Sequence, residues 1–325
     1  VTLAADGLLV IGDVVTDVVA RHRAPPPAFG RGDPRLTSFA RGTDTAARIR
    51  ILPGGAGANA ACWAARWGCA DVRLLGRVGR DEAGWHEARL RAAGVRPLLV
   101  ADAEAPTATV IALVDATAER TFLTDSGAVL RISPADWSPS LLDGVGHLHL
   151  SGYLLFSPAS RQLARLALES ARTRAATVSV DPASAGFIAE LGVDGALAAL
   201  AGADVLFPNA DEARLLTGLP DPADAAAKLS RLVPLTVVTL GADGALVAES
   251  GTVTARVPPV PAVAVDSTGA GDAFTGAFLA ARLAGADAAT AAAEGCRAGA
   301  EAVTLIGGRP RSPGEPERKQ PHSPG

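Results

Sequence analysis

Methionine is absent from the 325 residues, tyrosine occurs once, and lysine appears only as Lys228 and Lys319, so nearly all the basic charge is arginine. The Arg-for-Lys bias and the lack of Met even at position 1 fit genome composition and a non-Met start, with no functional meaning. Cysteine is sparse. Cys62, Cys69 and Cys296 form no Cys-x-x-Cys pair and no even-numbered framework, which is what a reducing compartment leaves. No charge of one sign dominates either: 30 basic and 34 acidic residues, spread along the chain, leave a formal charge of -4. That balance offers no footprint for a phosphate polymer or an anionic membrane. No uncharged apolar run reaches the ~18 residues a bilayer span needs, and residues 1–20 lack a basic leader ahead of a long apolar region. The expectation is a soluble cytoplasmic chain with no nucleic-acid and no membrane partner.

Missing motifs narrow the chemistry further. There is no Gly-x-x-x-x-Gly-Lys-Ser/Thr, and neither lysine follows a glycine loop, so a P-loop enzyme is excluded. Five histidines supply no zinc constellation, and His147 and His149, on one face of a presumptive strand, read as structural. No nucleophile elbow with Ser, His and Asp in order is present, which argues against hydrolase chemistry of that kind.

What is abundant is apolar residue, 48% of the chain, enough for a large core. Short β-branched or leucine-rich runs alternate with Ala-rich stretches at helical spacing, the signature of βα units and a mainly parallel sheet. Strands are expected at Leu8–Ile11, Val72–Leu75, His147–Leu150, Val178–Val180, Val205–Phe207 and Thr236–Leu240. Helices are expected near 57–68, 83–93, 159–173, 221–232, 271–284 and 287–303. The fold class is a doubly wound α/β sheet. Residues 13–53 and 107–125 break the rhythm, and Thr109–Val114 with Arg120–Thr124 reads as a hairpin. Together these regions suit a small β lid, or else two surface loops. From Arg309 the chain turns Pro-, Gly- and charge-rich and is expected to be a disordered tail over 309–325, leaving 1–308 as the folded domain.

In such a sheet, ligands sit beyond the carboxyl ends of the strands. The polar residues there are Gly12-Asp13, Ser151, Asp181, Asn209 with Glu212, and Thr239 with Gly241. The most telling segment is Thr268-Gly-Ala-Gly-Asp272, after Val263–Val265 and opening an apolar helical run. Gly269 and Gly271 allow a tight turn that aims the N–H groups of Ala270, Gly271 and Asp272 into one space, an anion site at a helix N-terminus. A carboxylate there suits a general base that takes a proton from an attacking hydroxyl beside a held phosphoryl group. Asp272 as a plain helix cap is the competing reading. A second segment, Gly54-Gly-Ala-Gly-Ala-Asn59, also satisfies a dinucleotide-binding fingerprint after a short strand Arg48–Leu52, which keeps an NAD(P)-dependent oxidoreductase open as an alternative. In a kinase, its glycines would allow close approach to a polyol, and Asn59 would hold a hydroxyl.

Together the two glycine segments resemble the two signatures of the ribokinase-like PfkB family, Gly54 to Gly68 the first and Asp266-Ser-Thr-Gly-Ala-Gly-Asp-Ala-Phe274 the second. Gly12-Asp13-Val-Val-Thr-Asp17, Gly76 to Asp81, Asn209-Ala-Asp-Glu212 and Thr239 to Gly244 fall in the family's order, so the likeness covers nearly the whole chain. It implies a three-layer α/β/α domain with a β lid and ATP-dependent phosphorylation of a sugar or nucleoside hydroxyl. Asp272 would be the base, and the amides of Gly269, Ala270, Gly271 and Asp272 the anion hole. Asp17, Gly55 and Asn59 would hold the substrate, while Asn209, Thr239 and Gly241 would serve ATP. Glu212 would position Mg²⁺ with Asn209, and Asp266 belongs to a loop that binds a monovalent cation such as K⁺ in some members. Val15 and Ala56 replace a polar and a basic residue of ribose sites, and Ser151-Gly-Tyr153 an acidic one. These departures point to a less polar pocket and, as a narrower reading, to pseudouridine, with ribose next. A non-catalytic sensor on the same fold is a further alternative, and exposed lid edges offer a route to a homodimer.

Overall fold

The computed structural model describes residues 6–22, 44, 46–114 and 120–311. Its most buried strand is Gly7–Ile11 (β1), all five residues of which are covered, Leu8 and Val10 feeding one side and Leu9 and Ile11 the other. A strand apolar on both faces belongs inside a parallel sheet. β1 lies between Val72–Gly79 (β4) and Val145–Leu150 (β8), parallel to both. Val95–Asp102 (β5) extends the sheet beyond β4. Beyond β8 follow Thr177–Val180 (β9), Val205–Leu206 (β10) and Leu235–Thr239 (β11), all parallel. An antiparallel hairpin of Ala245–Glu249 (β12) and Thr252–Val257 (β13) completes nine strands.

Helices cover both faces. Ala56–Arg66 (α1), Ala83–Ala92 (α2), Ala270–Leu283 (α8) and Ala288–Ala302 (α9) pack with Leu8, Val10 and Val237. On the other side Pro158–Thr173 (α3), Ala185–Leu191 (α4), Val193–Leu200 (α5), Ala210–Thr217 (α6) and Pro222–Leu229 (α7) pack with Leu9, Ile11 and Val238. Several start where the local chemistry dictates: the Ser157 hydroxyl accepts Ser160 N–H at 3.0 Å ahead of Pro158, and Asp221 and Asp287 cap α7 and α9.

A second sheet of four strands stands apart, in the order Ala47–Gly54 (β3), Val15–His22 (β2), Ala108–Val114 (β6), Arg120–Asp125 (β7). It is built from the two stretches that broke the βα rhythm, and the expected hairpin is there as β6 and β7. The rest of the lid segment, residues 23–43 and 45, and the hairpin turn at 115–119 lie outside the described residues. All six expected strands and all six expected helices are present. β5, β12, β13, α4, α5 and α6 were not anticipated. β5 and β13 are the sheet's two edges, half-exposed and mixed in polarity, and Pro97 is tolerated in β5 because that strand pairs only with β4. Val263–Val265 forms no strand: Val263 is 84% exposed, and the segment is held by Val265 and Asp266 N–H bonds of 2.7 and 3.1 Å to the Val303 carbonyl.

The tail boundary also needs correction. Arg309 is not part of a free tail: Gly307 and Gly308 are buried, and the Arg309 guanidinium donates from Nη2 to the Gly54 carbonyl at 2.9 Å. Composition averaged over a segment hides one arginine that packs under the small sheet. Residues 312–325 lie outside the described residues.

The site depends on how closely α1 and α8 approach. Gly276 of α8 lies on the α1 backbone, and a Cβ there would come within 2.8 Å of Ala64 N. Gly276→Ala should therefore push the helices apart and destabilise the chain by about 1–3 kcal/mol. Urea unfolding would show this as a lower midpoint at unchanged slope.

Candidate active site

The rim residues named from strand ends all follow their strands: Asp13 after β1, Ser151 after β8, Asp181 after β9, Asn209 after β10 and Thr239 ending β11. Two helix N-termini, α1 and α8, face this rim, and they differ. At α1 the amides are taken. Asp13 accepts Ala56 N–H at 2.7 Å on Oδ2 and Gly57 N–H at 3.1 Å on Oδ1, and the Ser151 hydroxyl also donates to Oδ1 at 2.9 Å. Burial pushes the Asp13 carboxyl upward, against the pull of those donors. The fit requires glycine, since a Cβ on Gly12 would lie 2.8 Å from Gly57 Cα, and Gly55 has φ +97° with Asp13 backbone against it. A dinucleotide pyrophosphate needs these same amides. Moreover β3, the strand before the glycines, belongs to the small sheet and not to a parallel βαβ unit. Both observations remove the oxidoreductase reading.

At α8 the N-terminus is open. Gly269 is left-handed at φ 74° and packs on Gly308, no side chain caps the helix, and nothing stands within 4 Å of where a Cβ on Gly271 would be. First-turn N–H groups have no acceptor within their own helix, so this is an anion cradle in waiting. The Asp272 carboxylate does not cap the helix. It accepts Nδ2 of Asn59 across the cleft at 2.8 Å. Burial raises the Asp272 carboxyl to about 8, opposed by the Asn59 bond and reinforced by Asp181, Asp13 and Asp17. Asn59 Oδ1 is buried without a partner.

The other expected residues gather around this pair. Asp17 lies against Gly54 at the lid's edge, and burial lifts its carboxyl to about 6 despite the nearby Arg309 charge. Asn209 and Glu212 form a capping box for α6: Asn209 Oδ1 accepts Asp211 and Glu212 N–H, both at 2.9 Å, and Glu212 Oε2 accepts Asn209 N–H at 2.8 Å. That leaves one Glu212 oxygen for other partners, with the Asn209 side chain also acting on the carboxylate as a hydrogen-bond donor. Glu212 is buried, which raises it to about 7, with Asp181 and Asp211 adding to the rise. Thr239 bridges to Asn209, and Gly241 follows exposed at φ +60°. Asp266 uses both carboxylate oxygens on backbone, Thr268 N–H at 2.9 Å and Gly307 N–H at 3.1 Å, so its side chain fixes the loop before the cradle. Among the described residues no group of three acidic, His or Cys side chains gathers as a metal cage. His147 bonds Thr177 and Ser179, both at 2.7 Å, and burial pushes it down to about 3, in keeping with a structural role.

Three contributors went unassigned in the sequence. Asp13 was noted on the rim, but its clamp on α1 depends on a partner 43 residues away. Tyr153, the lone tyrosine, is raised by burial and by Asp13, Asp181, Asp272 and Glu212, which places it amid the carboxylates. Arg309 was assigned to the tail, and its only signal was the Gly307-Gly308 pair before it.

Residues 7–314 match the pfkB family carbohydrate kinase profile. The chain is 34% identical over 251 residues to a fructokinase of Klebsiella pneumoniae, covering 73% of this chain and 79% of that one. It is 32% identical over 241 residues to a 2-dehydro-3-deoxygluconokinase of Thermoproteus tenax, covering 70% and 72%. In fold it is similar to the adenosine kinase of Sinorhizobium meliloti, with a TM-score of 0.76 at 24% identity over 94% of this chain and 95% of that one. With its open α8 cradle and its carboxylate rim, the chain belongs to the PfkB family of carbohydrate kinases, whose shared chemistry is ATP-dependent phosphorylation of a sugar or nucleoside hydroxyl.

Proposed function

We propose that this chain transfers the terminal phosphoryl group of Mg·ATP to a hydroxyl of a sugar or nucleoside, with Asp272 as general base and the amides of Gly269, Ala270, Gly271 and Asp272 as anion hole. The observation that carries this reading is the Asn59–Asp272 bond beside an uncapped helix N-terminus. A carboxyl near 8 is a poor resident anion and an effective proton acceptor, and open amides beside it can hold charge as it develops on the transferring group. A sensor would need neither feature. Asp17, Gly55 and the free Oδ1 of Asn59 would orient the acceptor's hydroxyls, while Thr239 and Gly241 would border the nucleotide.

The donor set suits a Mg²⁺ that arrives with phosphates and waters, since such an ion takes only one or two carboxylates from the protein. Glu212, with one oxygen uncommitted and Asn209 fixed beside it, would hold that ion, which when bound offsets phosphate charge. With the Asp266 carboxylate occupied by N–H groups, a K⁺ near that loop would meet backbone carbonyls. For the acceptor we keep pseudouridine as the narrower reading, with ribose next. Support comes from Tyr153 packed edge-on to Phe156 and from buried Val15, a wall suited to a base. The lid would also pair with a second copy. Register sets Ile49 and Ile51 beside Ala20 and Val18, then Leu113 and Ile111, an apolar face opposite in parity to Asp17, with Ile49 and Ile51 61% and 63% exposed.

The primary test is ADP release from Mg·ATP across pseudouridine, uridine, adenosine, ribose, fructose and 2-keto-3-deoxygluconate. Turnover on one compound should fall about 10²–10⁴-fold in Asp272→Ala with ATP binding kept. Near-normal turnover would remove Asp272 from its role. Because the base must be ionised, kcat/KM should fall as pH drops below about 8. The same raised carboxyl burdens the fold: the folded state binds its proton more tightly, so stability is lost as pH rises towards 8. Asp272→Asn should thus melt above wild type at pH 8–9, by a margin that vanishes near pH 4. Light scattering should give twice the 32.7 kDa chain mass, reduced to one in Ile51→Glu. A monomeric wild type would discard the lid dimer.

A further inference from the structure

After α9 the chain doubles back across the site as a short strap, Gly307-Gly308-Arg309. Gly307 N–H holds Asp266, and the Gly308 carbonyl accepts Trp63 Nε1 at 2.8 Å. A Cβ on Gly308 would collide with the Asn59 amide, and one on Gly269 would come within 2.7 Å of Gly308 O. Arg309 then passes beneath the root of the lid. Its Nη2 holds the Gly54 carbonyl, while Nε and Nη1, both shut off from solvent, have no partner. Gly54 is the residue on which Asp17 rests, since a Cβ there would meet Asp17 Oδ1 at 2.9 Å.

A guanidinium taken out of water without a counter-charge is costly, and burial does pull Arg309 downward. The ionisable groups around it are Cys62 on α1, a buried thiol that burial keeps protonated, Asp17 on β2, Asp13 after β1 and Arg89 on α2, and it acts in turn on His86 of α2. Only the two carboxylates can compensate it, and Asp13 is committed to Ala56, Gly57 and Ser151. Asp17 remains, and Arg309 is the largest influence opposing the burial of that carboxyl.

We propose that Arg309 is a positioning residue for Asp17: it fixes the lid root through Gly54 and offers an unpartnered N–H to the Asp17 carboxylate when the acceptor is seated. Asp17 then meets the acceptor ionised and in one orientation. This rests on Asp17 binding the acceptor in a kinase, so the test has two arms. On whichever panel compound turns over, Arg309→Gln should raise the acceptor KM about tenfold or more, leave the Mg·ATP KM within twofold, and move the acid-side rise of acceptor KM to higher pH. Arg309→Lys, which keeps the charge, should recover most of the loss.

The second arm needs no substrate. In urea unfolding of the full chain at pH 8, the stability change caused by Asp17→Asn should be less favourable in the wild-type background than in Arg309→Gln, a coupling that a space-filling side chain would not give. In the Arg309→Lys background the coupling should persist. Additive stabilities, or an acceptor KM and pH profile unmoved in a folded Arg309→Gln protein, would overturn the proposal. If no compound on the panel turns over, weight shifts to an acceptor outside the panel or to a sensor, and the unfolding cycle alone decides whether Arg309 and Asp17 are paired.

Discussion

The site hangs on one hydrogen bond, from Asn59 Nδ2 to the Asp272 carboxylate at 2.8 Å, because it joins two helices that reach the cleft from distant parts of the chain. Asn59 sits in the first turn of α1 and Asp272 in the first turn of α8, 213 residues apart. The bond forms only if the helices touch, and they touch because Gly276 leaves room for the α1 backbone and Gly308 leaves room for the Asn59 amide. The glycines at the two helix starts serve a different end. They shape two N-termini that physics would make equally attractive to anions. Asp13 neutralises one, and the other is left open beside a carboxylate reluctant to ionise. That asymmetry tells a hydroxyl-phosphorylating site from a dinucleotide site that shares its glycine spacing.

The electrostatics carry a matching tension. Asp13, Asp17, Asp272 and Glu212 all have carboxyls raised chiefly by burial, and each of the last three is raised further by acidic neighbours. Such a cluster is stabilised by its donors: backbone N–H groups at Asp13 and Glu212, the Asn59 amide at Asp272, and the Arg309 charge at Asp17. Each donor lowers what burial raises, without cancelling it. The remaining strain favours any bound cation, and a proton on the base once phosphoryl transfer is complete. Stability and chemistry therefore pull in opposite directions at Asp272.

Much of the fold was legible because its signals are local. Leu8–Ile11 reads as a buried strand from four consecutive apolar residues, and the six helices that were found carry long Ala-rich faces. The elements that escaped notice are those whose identity depends on neighbours. β5 and β13 are strands only because β4 and β12 supply an edge to pair with. α6 was hidden by its own start, since Asn209 and Glu212, read for their chemistry, are also the reciprocal cap that begins the helix. The candidate site divides the same way. Thr268 to Asp272 announces itself by glycine spacing, whereas the Asp13 clamp and Arg309 acquire meaning only when residues 43 and 255 positions apart meet.

The small sheet shows why such meetings matter. Strand alternation gives it two faces, and Asp17 fixes which one looks into the cleft. β2 enters the small sheet three residues after β1 leaves the large one, and β3 hands the chain to α1 through Gly54 and Gly55. Both ends of the β2–β3 hairpin are thus rooted at the rim, beside Asp13 and Asn59. Any movement of that hairpin must act on Gly54, where the Arg309 guanidinium holds the carbonyl and the Asp17 carboxylate rests on the α-carbon. The residue that would hold the acceptor therefore shares its root with the small sheet, so a shift of that sheet would change the surroundings of Asp17.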